Sequence, residues 1–348
     1  MRIAVVGGGI IGLACAWRLA SHGISVVVYD SAPEAQEASW AAAGMLAPHH
    51  EADRADALWR LGVASLSRWA DFAADLSAPV DFHQHGGLIA AIDETDATLL
   101  SAKQAFATAH GLASIRYTRQ SLLHEEPHLS GCHEALLLPG AQVNPRHVTA
   151  ALRQACVDKG VDLRYGSAIT SLDDLADIVV LASGAWTPAL AALAQVQVHG
   201  EPVKGQMLRF NAPDGLLRHF IHCQHAYVVP RAGAGIVVGS TMVWSGFDKS
   251  EDAGAIARLA ENARHLLPAL RDAAIAETWT GLRPRLSSGM PVIAQVRKNL
   301  VIATGHFRNG ILLTPITADA VVELCGGPAC GVDLSPFELQ ENHPQSST

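Results

Sequence analysis

The sequence predicts an α/β fold in which two domains are interleaved along the chain. A complete β-α-β pattern occupies the first thirty residues, and two further apolar strand patterns that run into glycine lie far downstream. The regions between them alternate between helical and strand patterns. At roughly 150 residues per domain, the 348 residues correspond to about two domains.

The N-terminal pattern comprises an apolar strand at residues 3–6, a helix at residues 10–22 and a second apolar strand at residues 25–30. Residues 7–12, between the first strand and the helix, match G-x-G-x-x-G. A strand, a glycine-rich turn and a helix in this order, followed by a second buried strand, are typical of a dinucleotide-binding unit.

Each feature of that motif has a physical role. Gly7 permits a tight turn, Gly9 lets a pyrophosphate approach the backbone, and Gly12 allows close packing of helix and strand. The helix N-terminus presents free N–H groups to the phosphates. Asp30, eighteen residues after Gly12, is placed to accept the ribose hydroxyls. A purely structural glycine turn would leave Asp30 unexplained, so the pattern predicts dinucleotide binding.

The two downstream strand patterns distinguish between dinucleotides. Residues 177–184 and 300–305 each run from an apolar strand into glycine, and the small residues at 39–45 would let backbone pass close to a bulky ligand. Junctions spread over the whole chain suit a long cofactor, whereas an NAD domain is normally one contiguous block. The sequence therefore favours FAD.

The composition excludes several classes of protein. Apolar residues make up 49% of the chain and charged residues 17%, which excludes an intrinsically disordered chain. The 25 Lys and Arg against 33 Asp and Glu argue against a nucleic-acid or anionic-membrane partner. No apolar run reaches the roughly eighteen residues of a membrane span. The six cysteines form no C-x-x-C pair, which favours buried thiols in a reducing, cytoplasmic compartment.

Five stretches carry a resemblance to a known family: residues 6–12, 41–46, 227–231, 281–284 and 305–312. Over about residues 1–325 the chain resembles the D-amino-acid oxidase superfamily of FAD-dependent proteins, and the last stretch resembles the glycine oxidases of the thiamine-pathway type. The resemblance implies a Rossmann-like FAD-binding domain interleaved with a substrate domain on a mixed, largely antiparallel sheet.

The domain bounds and individual elements follow from that reading. We expect the FAD-binding domain at residues 1–80, 140–195 and 285–330, the substrate domain at 81–139 and 196–284, and a polar tail at 331–348. Further elements are predicted as a helix at 57–76 and strands at 81–92, 132–138, 203–210, 226–229 and 236–242. A helix beginning near Asn309 would direct its partial positive charge at the reduced flavin.

The resemblance also implies the residues that hold FAD. They are Gly7, Gly9, Ile10, Ile11, Gly12, Asp30, Ser31, Ala38, Ser39, Ala43, Gly44, Met45, Ile169, Ser183, Gly184, His306, Phe307, Arg308, Asn309, Gly310, Ile311 and Leu312. A covalent flavin, as in the monomeric sarcosine oxidases, would need a cysteine near the last of these stretches. None lies between Gly305 and Ala320, so we expect non-covalent FAD.

A substrate carboxylate needs a fixed cation, and an arginine fork can hold it bidentately. The resemblance assigns this role to Arg283, with Tyr227 donating its hydroxyl to the same carboxylate, and places Arg308 at the substrate–flavin boundary. His225 and Met242 are candidate wall residues. From the residues alone, the alternative for Arg283 is a surface salt bridge and the alternative for Tyr227 is a core side chain.

Other features depart from the family or mimic a metal site. Only eight residues, 170–177, remain where the family commonly has an edge hairpin, and Ala47 and His50 fall in the segment leading to the active-site mouth. Residues 124–128 match H-E-x-x-H, but Pro127 disfavours the helix that zinc binding would need. We therefore expect no metal.

The resulting hypothesis is FAD-dependent oxidation of glycine and small amines such as sarcosine and D-alanine, by hydride transfer to flavin N5. The imine hydrolyses to a keto acid, glyoxylate from glycine, with release of ammonia or an amine, or it supplies thiazole synthesis for thiamine. Reoxidation of the flavin by oxygen gives hydrogen peroxide. Alternatives are a D-amino-acid dehydrogenase that reduces quinone, a tRNA-demodifying FAD oxidase, which the acidic balance opposes, and a non-catalytic flavin-binding scaffold. Expected partners are the small substrate, molecular oxygen and further copies of the chain in a homo-oligomer.

Overall fold

The computed structural model describes residues 1–32, 36–224 and 226–340, and its strands form two large sheets and one small one. In chain order the strands are β1 (Arg2–Val6), β2 (Ser25–Tyr29), β3 (Met45–Leu46), β4 (Gly87–Ala91), β5 (Ile115–Thr118), β6 (Glu134–Leu138), β7 (Ala141–Gln142), β8 (Asp162–Arg164), β9 (Ile178–Leu181), β10 (Gly200–Phe210), β11 (Phe220–Cys223), β12 (Ala226–Arg231), β13 (Gly235–Gly239), β14 (Ile275–Leu286), β15 (Val292–Arg297) and β16 (Leu300–Thr304).

Helices pack on the faces of both large sheets. They are α1 (Ile10–Ser21), α2 (Ala38–Ala41), α3 (Pro48–Glu51), α4 (Ala57–Leu66), α5 (Trp69–Ala74), α6 (Glu94–Ala109), α7 (Arg119–Glu125), α8 (Pro145–Asp158), α9 (Thr187–Leu193), α10 (Ala253–Leu266) and α11 (Thr314–Leu324). In the ranges described, no helix combines the length and the apolar character that crossing a bilayer requires.

The six-stranded sheet has the order β15-β16-β9-β1-β2-β8 and is parallel except for the β15–β16 pair. Its strands come from both ends and the middle of the chain, so the three strand-to-glycine junctions predicted from sequence lie on one sheet. Ile3 and Val5 of β1 face a buried cluster that includes Leu13 of α1 and Leu152 of α8. Ala4 and Val6 face the opposite cluster, which explains the uninterrupted apolar sequence of this strand.

The eight-stranded sheet has the order β14-β10-β13-β12-β11-β4-β6-β5 and is antiparallel except for the β11–β4 pair. Ile256 and Leu259 of α10 belong to the cluster that covers one face of this sheet, together with Leu208 and Val228. The other face, with Met207 and Phe220, packs against the segment around Ala41 and Ala43. The two sheets confirm the predicted α/β fold class; the exact domain bounds stay a prediction.

Three element predictions need correction. The predicted helix at 57–76 is two helices, α4 and α5, because Arg68 Nη1 donates to Ala64 O at 2.6 Å, the carbonyl that an α-helical Arg68 N–H would use. The strand predicted at 81–92 begins only at Gly87. The helix predicted near Asn309 begins at Thr314, after a 3₁₀ turn at Phe307–Asn309, with Pro315 in its first turn.

Candidate active site

A cavity of about 580 Å³ lies between the glycine-rich turn of the six-stranded sheet and the inner face of the eight-stranded sheet. The predicted site residues that line it are Gly7, Gly9, Ile10, Ile11, Asp30, Ser31, Ala38, Ser39, Ala43, Gly44, Met45, Ile169, Ser183, Gly184, Tyr227, Met242, Arg283, His306, Phe307, Arg308, Asn309, Gly310 and Ile311. Gly12 and Leu312 do not line the cavity, and His225 lies outside the described residues.

One end of the cavity has the features that a dinucleotide needs. Gly7 has φ +118°, and a Cβ there would overlap the carbonyl of Ala182, so this turn requires glycine. Asp30 accepts hydrogen bonds from Gly8 N (2.6 Å) and Ala32 N (2.8 Å), which fix its carboxylate beside the turn. Ser39 Oγ accepts from Ile10 N at 3.0 Å, at the start of α1. This glycine cradle with a fixed carboxylate fits the adenosine and pyrophosphate of FAD.

The three strand ends that surround this cradle are joined by side-chain hydrogen bonds. Ser183 Oγ donates to Val6 O at 2.7 Å, and Thr304 Oγ1 donates to Gly184 O at 3.0 Å. Gly12 has a structural place, since a Cβ at this position would overlap Gly7 O. The β-α turn and both downstream junctions therefore form one connected edge of the sheet.

The loop after β16 enters the cavity with an unusual backbone. Phe307 has φ +48°, in the left-handed region that non-glycine residues rarely adopt. His306 precedes it and is 4% exposed; burial lowers the pKa of its imidazole to about 4, and its Nε2 lies 3.1 Å from Thr317 Oγ1. The imidazole is therefore neutral at neutral pH, so it adds no cation to this part of the cavity.

Strand pairing places a transverse row of residues on the cavity face of the eight-stranded sheet. In register, His222 pairs with Tyr227, Tyr227 with Gly239, Gly239 with Met207, and Met207 with Trp279. The Tyr227 hydroxyl donates to Met207 Sδ at 2.8 Å and lines the cavity. Tyr227 is therefore a half-buried wall residue, not a core tyrosine closed off from the ligand.

Arg283 lies on the same face, two residues after Gly281 and four after Trp279 on alternate positions of β14. Its Nη1 donates to Thr241 O at 3.2 Å, and its Nη2 donates to Ser240 Oγ. Both partners are neutral, and no carboxylate of the described chain lies within ion-pair distance of this guanidinium. The alternative of a surface salt bridge does not hold: Arg283 presents an uncompensated positive charge to the cavity.

Arg308, His50 and His222 are further polar residues of the cavity wall, and their surroundings were not predicted from the sequence. Arg308 pairs with Glu51 at 2.9 Å. His50, predicted near the mouth, is 3% exposed, lies 5.0 Å from the Phe220 ring centroid, and burial lowers its pKa to about 3. His222 also lines the cavity, and burial lowers its pKa. Both imidazoles are neutral at neutral pH.

The position of His222 was accessible from the sequence. A two-residue connection between β11 and β12 pairs Cys223 with Ala226 and therefore sets His222 opposite Tyr227. Met242, predicted as a wall residue, lines the cavity but is 48% exposed, so it belongs to the rim. Ala47, placed with His50 near the mouth, is also buried at 8% exposure.

Arg231 of β12 connects the eight-stranded sheet to the segments beside the small β3–β7 sheet. Its side chain is buried, its Nη1 donates to Val143 O at 2.6 Å, and its Nη2 donates to Ala43 O. Burial lowers the pKa of this guanidinium to about 10. Because Ala43 belongs to the small-residue loop that lines the cavity, Arg231 holds that loop against the eight-stranded sheet.

The stretch that matches H-E-x-x-H has a structural role instead of a metal-binding arrangement. Helix α7 ends at Glu125, and the buried Glu126 carboxylate accepts from His219 N at 2.8 Å and lies 2.7 Å from His219 Nδ1. Across the three described ranges, no group of three or more His, Cys, Asp or Glu side chains is arranged to hold a metal ion.

A dinucleotide cradle joined through one cavity to an arginine-bearing antiparallel sheet defines the class of protein: an FAD-dependent amine oxidoreductase. The family model described as FAD dependent oxidoreductase matches residues 2–324, and the chain belongs to this family. A glycine oxidase from Geobacillus kaustophilus (strain HTA426) is 31% identical over 361 residues, covering 97% of this chain and 96% of the relative.

Two further comparisons each cover nearly all of this chain, and they differ in how much of the relative is matched. The crystal structure of glycine oxidase from Geobacillus kaustophilus has a TM-score of 0.92 and 29% identity, and the match covers 98% of this chain and 99% of that one. A bifunctional protein ThiO/ThiG from Nostoc sp. (strain PCC 7120) is 31% identical over 99% of this chain and 56% of its own length. The resemblance to glycine oxidases is thereby confirmed along nearly the whole chain.

Proposed function

We propose that the protein oxidises glycine and small amines such as sarcosine and D-alanine. The observation that carries this proposal is the uncompensated guanidinium of Arg283 in the cavity wall, on the same sheet face as the Tyr227 hydroxyl. This pair suits a carboxylate: the guanidinium offers five N–H donors, of which the two observed bonds occupy two, and the Tyr227 hydroxyl can turn its one donor from Met207 Sδ toward the substrate. The similarity to glycine oxidases supports glycine as the substrate.

The cavity residues have distinct proposed tasks toward FAD. The start of α1 and the Gly7–Gly9 turn would bind the pyrophosphate, Asp30 would bind the ribose, and the loop from His306 to Ile311 would contact the flavin. When bound, FAD supplies the two-electron acceptor for a hydride from the substrate Cα. The protein's part is to fix the carboxylate, orient the Cα–H bond and keep the site dry.

The charges of the cavity wall support oxidation of a neutral amine. Arg283 neutralises the substrate carboxylate, whereas His50 and His222 stay uncharged because burial lowers the pKa of each. Burial in the cavity lowers the pKa of a bound ammonium group and so favours loss of its proton. The imine product then hydrolyses to a keto acid, glyoxylate from glycine.

We further propose molecular oxygen as the electron acceptor, with hydrogen peroxide as its product, and thiazole synthesis as one use of the imine. The bifunctional ThiO/ThiG relative supports the second point, because a homologous segment is fused there to a second protein. The test is a panel of glycine, sarcosine, D-alanine, D-proline and D-phenylalanine, with peroxide measured in air and a quinone supplied without air. Peroxide from glycine supports an oxidase; turnover only with quinone identifies a dehydrogenase.

A further inference from the structure

Two glycines on the cavity face of the eight-stranded sheet lie beneath the two groups proposed to bind the substrate carboxylate. Gly205 of β10 is buried, and a Cβ built on it would overlap Nη1, Nη2 and Cζ of Arg283. Gly239 of β13 is also buried, and a Cβ there would overlap the Tyr227 hydroxyl and lie 2.6 Å from Met207 Sδ. The guanidinium and the phenol thus occupy the volume that any other residue's side chain would fill.

Both glycines leave space for a neighbouring side chain. Neither Gly205 nor Gly239 is among the glycines of positive φ. A glycine inside a strand destabilises the sheet relative to alanine, so both positions weaken it. Because Met207 pairs with Gly239 and lies two residues from Gly205, the two positions are diagonal neighbours on one face.

We propose that Gly205 is a positioning residue for the carboxylate site, a proposal that rests on the proposed role of Arg283. The missing side chain lets the guanidinium lie against the β10 backbone, where Ser240 and Thr241 hold it. Gly239 gives Tyr227 the same close approach from the neighbouring strand. The trough formed by the two glycines therefore lets both carboxylate-binding groups lie close to the backbone of the sheet.

The consequence of filling this trough follows from what would collide. In Gly205→Ala the overlapping atoms are the end of a flexible side chain, so Arg283 can swing away while the sheet keeps its pairing. In the new position the guanidinium loses its bonds to Ser240 and Thr241 and its approach to the substrate carboxylate. Charged hydrogen bonds contribute about 1.5–3 kcal/mol each, so we expect carboxylate binding to weaken roughly 10- to 100-fold.

The experiment titrates the FAD-loaded protein with acetate and follows the flavin absorbance change, which reports binding without turnover. The variants are Gly205→Ala, Arg283→Ala, the double variant, and Gly254→Ala as the matched control. Gly254 is an exposed residue of α10 that does not line the cavity, and a Cβ there would meet only the side chains of Asp252 and Arg258. Thermal melting of each variant is measured in parallel.

The proposal predicts that Gly205→Ala weakens acetate binding and that the double variant binds no more weakly than Arg283→Ala, because the glycine acts through the arginine. Gly254→Ala should bind as wild type. If Gly205→Ala melts at a much lower temperature, removal of the guanidinium in the double variant should restore the melting temperature. Wild-type binding by Gly205→Ala, additive losses in the double variant, or destabilisation that persists there would overturn the proposal. Unchanged binding by Arg283→Ala would instead refute the proposed carboxylate site on which it rests.

Discussion

Replacing Arg283 with alanine removes the cation that the proposed reaction needs most. The side chain is half-buried, and its observed partners are the neutral Ser240 and Thr241. Leaving a buried charge without its partner typically costs ~3–5 kcal/mol. At about 1.4 kcal/mol per decade, kcat/KM for glycine should fall by roughly two to three and a half orders of magnitude.

The assay measures kcat/KM by peroxide release, together with flavin content and melting temperature. Arg283→Lys should recover little activity, because an ammonium group cannot reproduce the planar fork. Arg297→Ala is the matched control, since Arg297 is an exposed arginine of β15 that does not line the cavity. A loss below about tenfold in Arg283→Ala, with FAD retained, would refute this reasoning and move the carboxylate site to Arg308.

Three further predictions concern the cofactor, the loop that Arg231 holds, and pH. The purified protein should be yellow and should release FAD on acid or heat precipitation, since the described cysteines near the C-terminal end, Cys325 and Cys330, are buried outside the cavity. Flavin that stays with the precipitated protein would contradict this prediction. Arg231→Met should weaken FAD binding and lower the free energy of unfolding by roughly 2–6 kcal/mol in a melting or denaturant experiment, because two buried carbonyls lose their donor. An unchanged FAD dissociation constant would show that the position of the Ala43 loop does not depend on Arg231. His50 and His306 have folded-state pKa values lowered to about 3 and about 4, so the unfolded chain binds more protons than the folded chain below about pH 6.5. Stability should therefore fall as the pH drops from 6.5 toward 4, by about 1.4 kcal/mol per pH unit for each histidine. His50→Leu should flatten the dependence of melting temperature on pH, and an unchanged slope would argue that His50 is not buried in its neutral form.

The nucleotide-binding end of the cavity was predictable because its signals are local. The turn at Gly7, the packing glycine Gly12 and the carboxylate of Asp30 follow from one β-α-β unit, whose geometry is the same wherever it occurs. The two downstream junctions were predictable as strands ending in glycine, and parallel pairing then brings their ends to the same edge. The late start of α11 was missed because the turns after His306 compete with the helix until Pro315.

The features that sequence reasoning missed depend on contacts between distant elements. Arg231 holds Ala43, 188 residues away, and nothing near either residue indicates that pairing. His50 is buried because Phe220 of β11 packs over it, so its depth in the wall could not follow from the α3 sequence alone. The space that Gly205 leaves for Arg283 likewise depends on the β10–β14 register, which the sequence around Gly205 does not indicate.

The central claim is that a small amino acid, held through its carboxylate, transfers two electrons to FAD in this cavity. Anaerobic rapid mixing of the FAD-loaded protein with substrate tests it most directly, because loss of the oxidised flavin absorbance reports the chemical step without any electron acceptor. We predict rapid bleaching by glycine and sarcosine, and none by methylamine, which lacks the carboxylate that Arg283 would bind. Bleaching by methylamine as fast as by glycine, or no bleaching by glycine while D-phenylalanine reduces the flavin, would contradict the account.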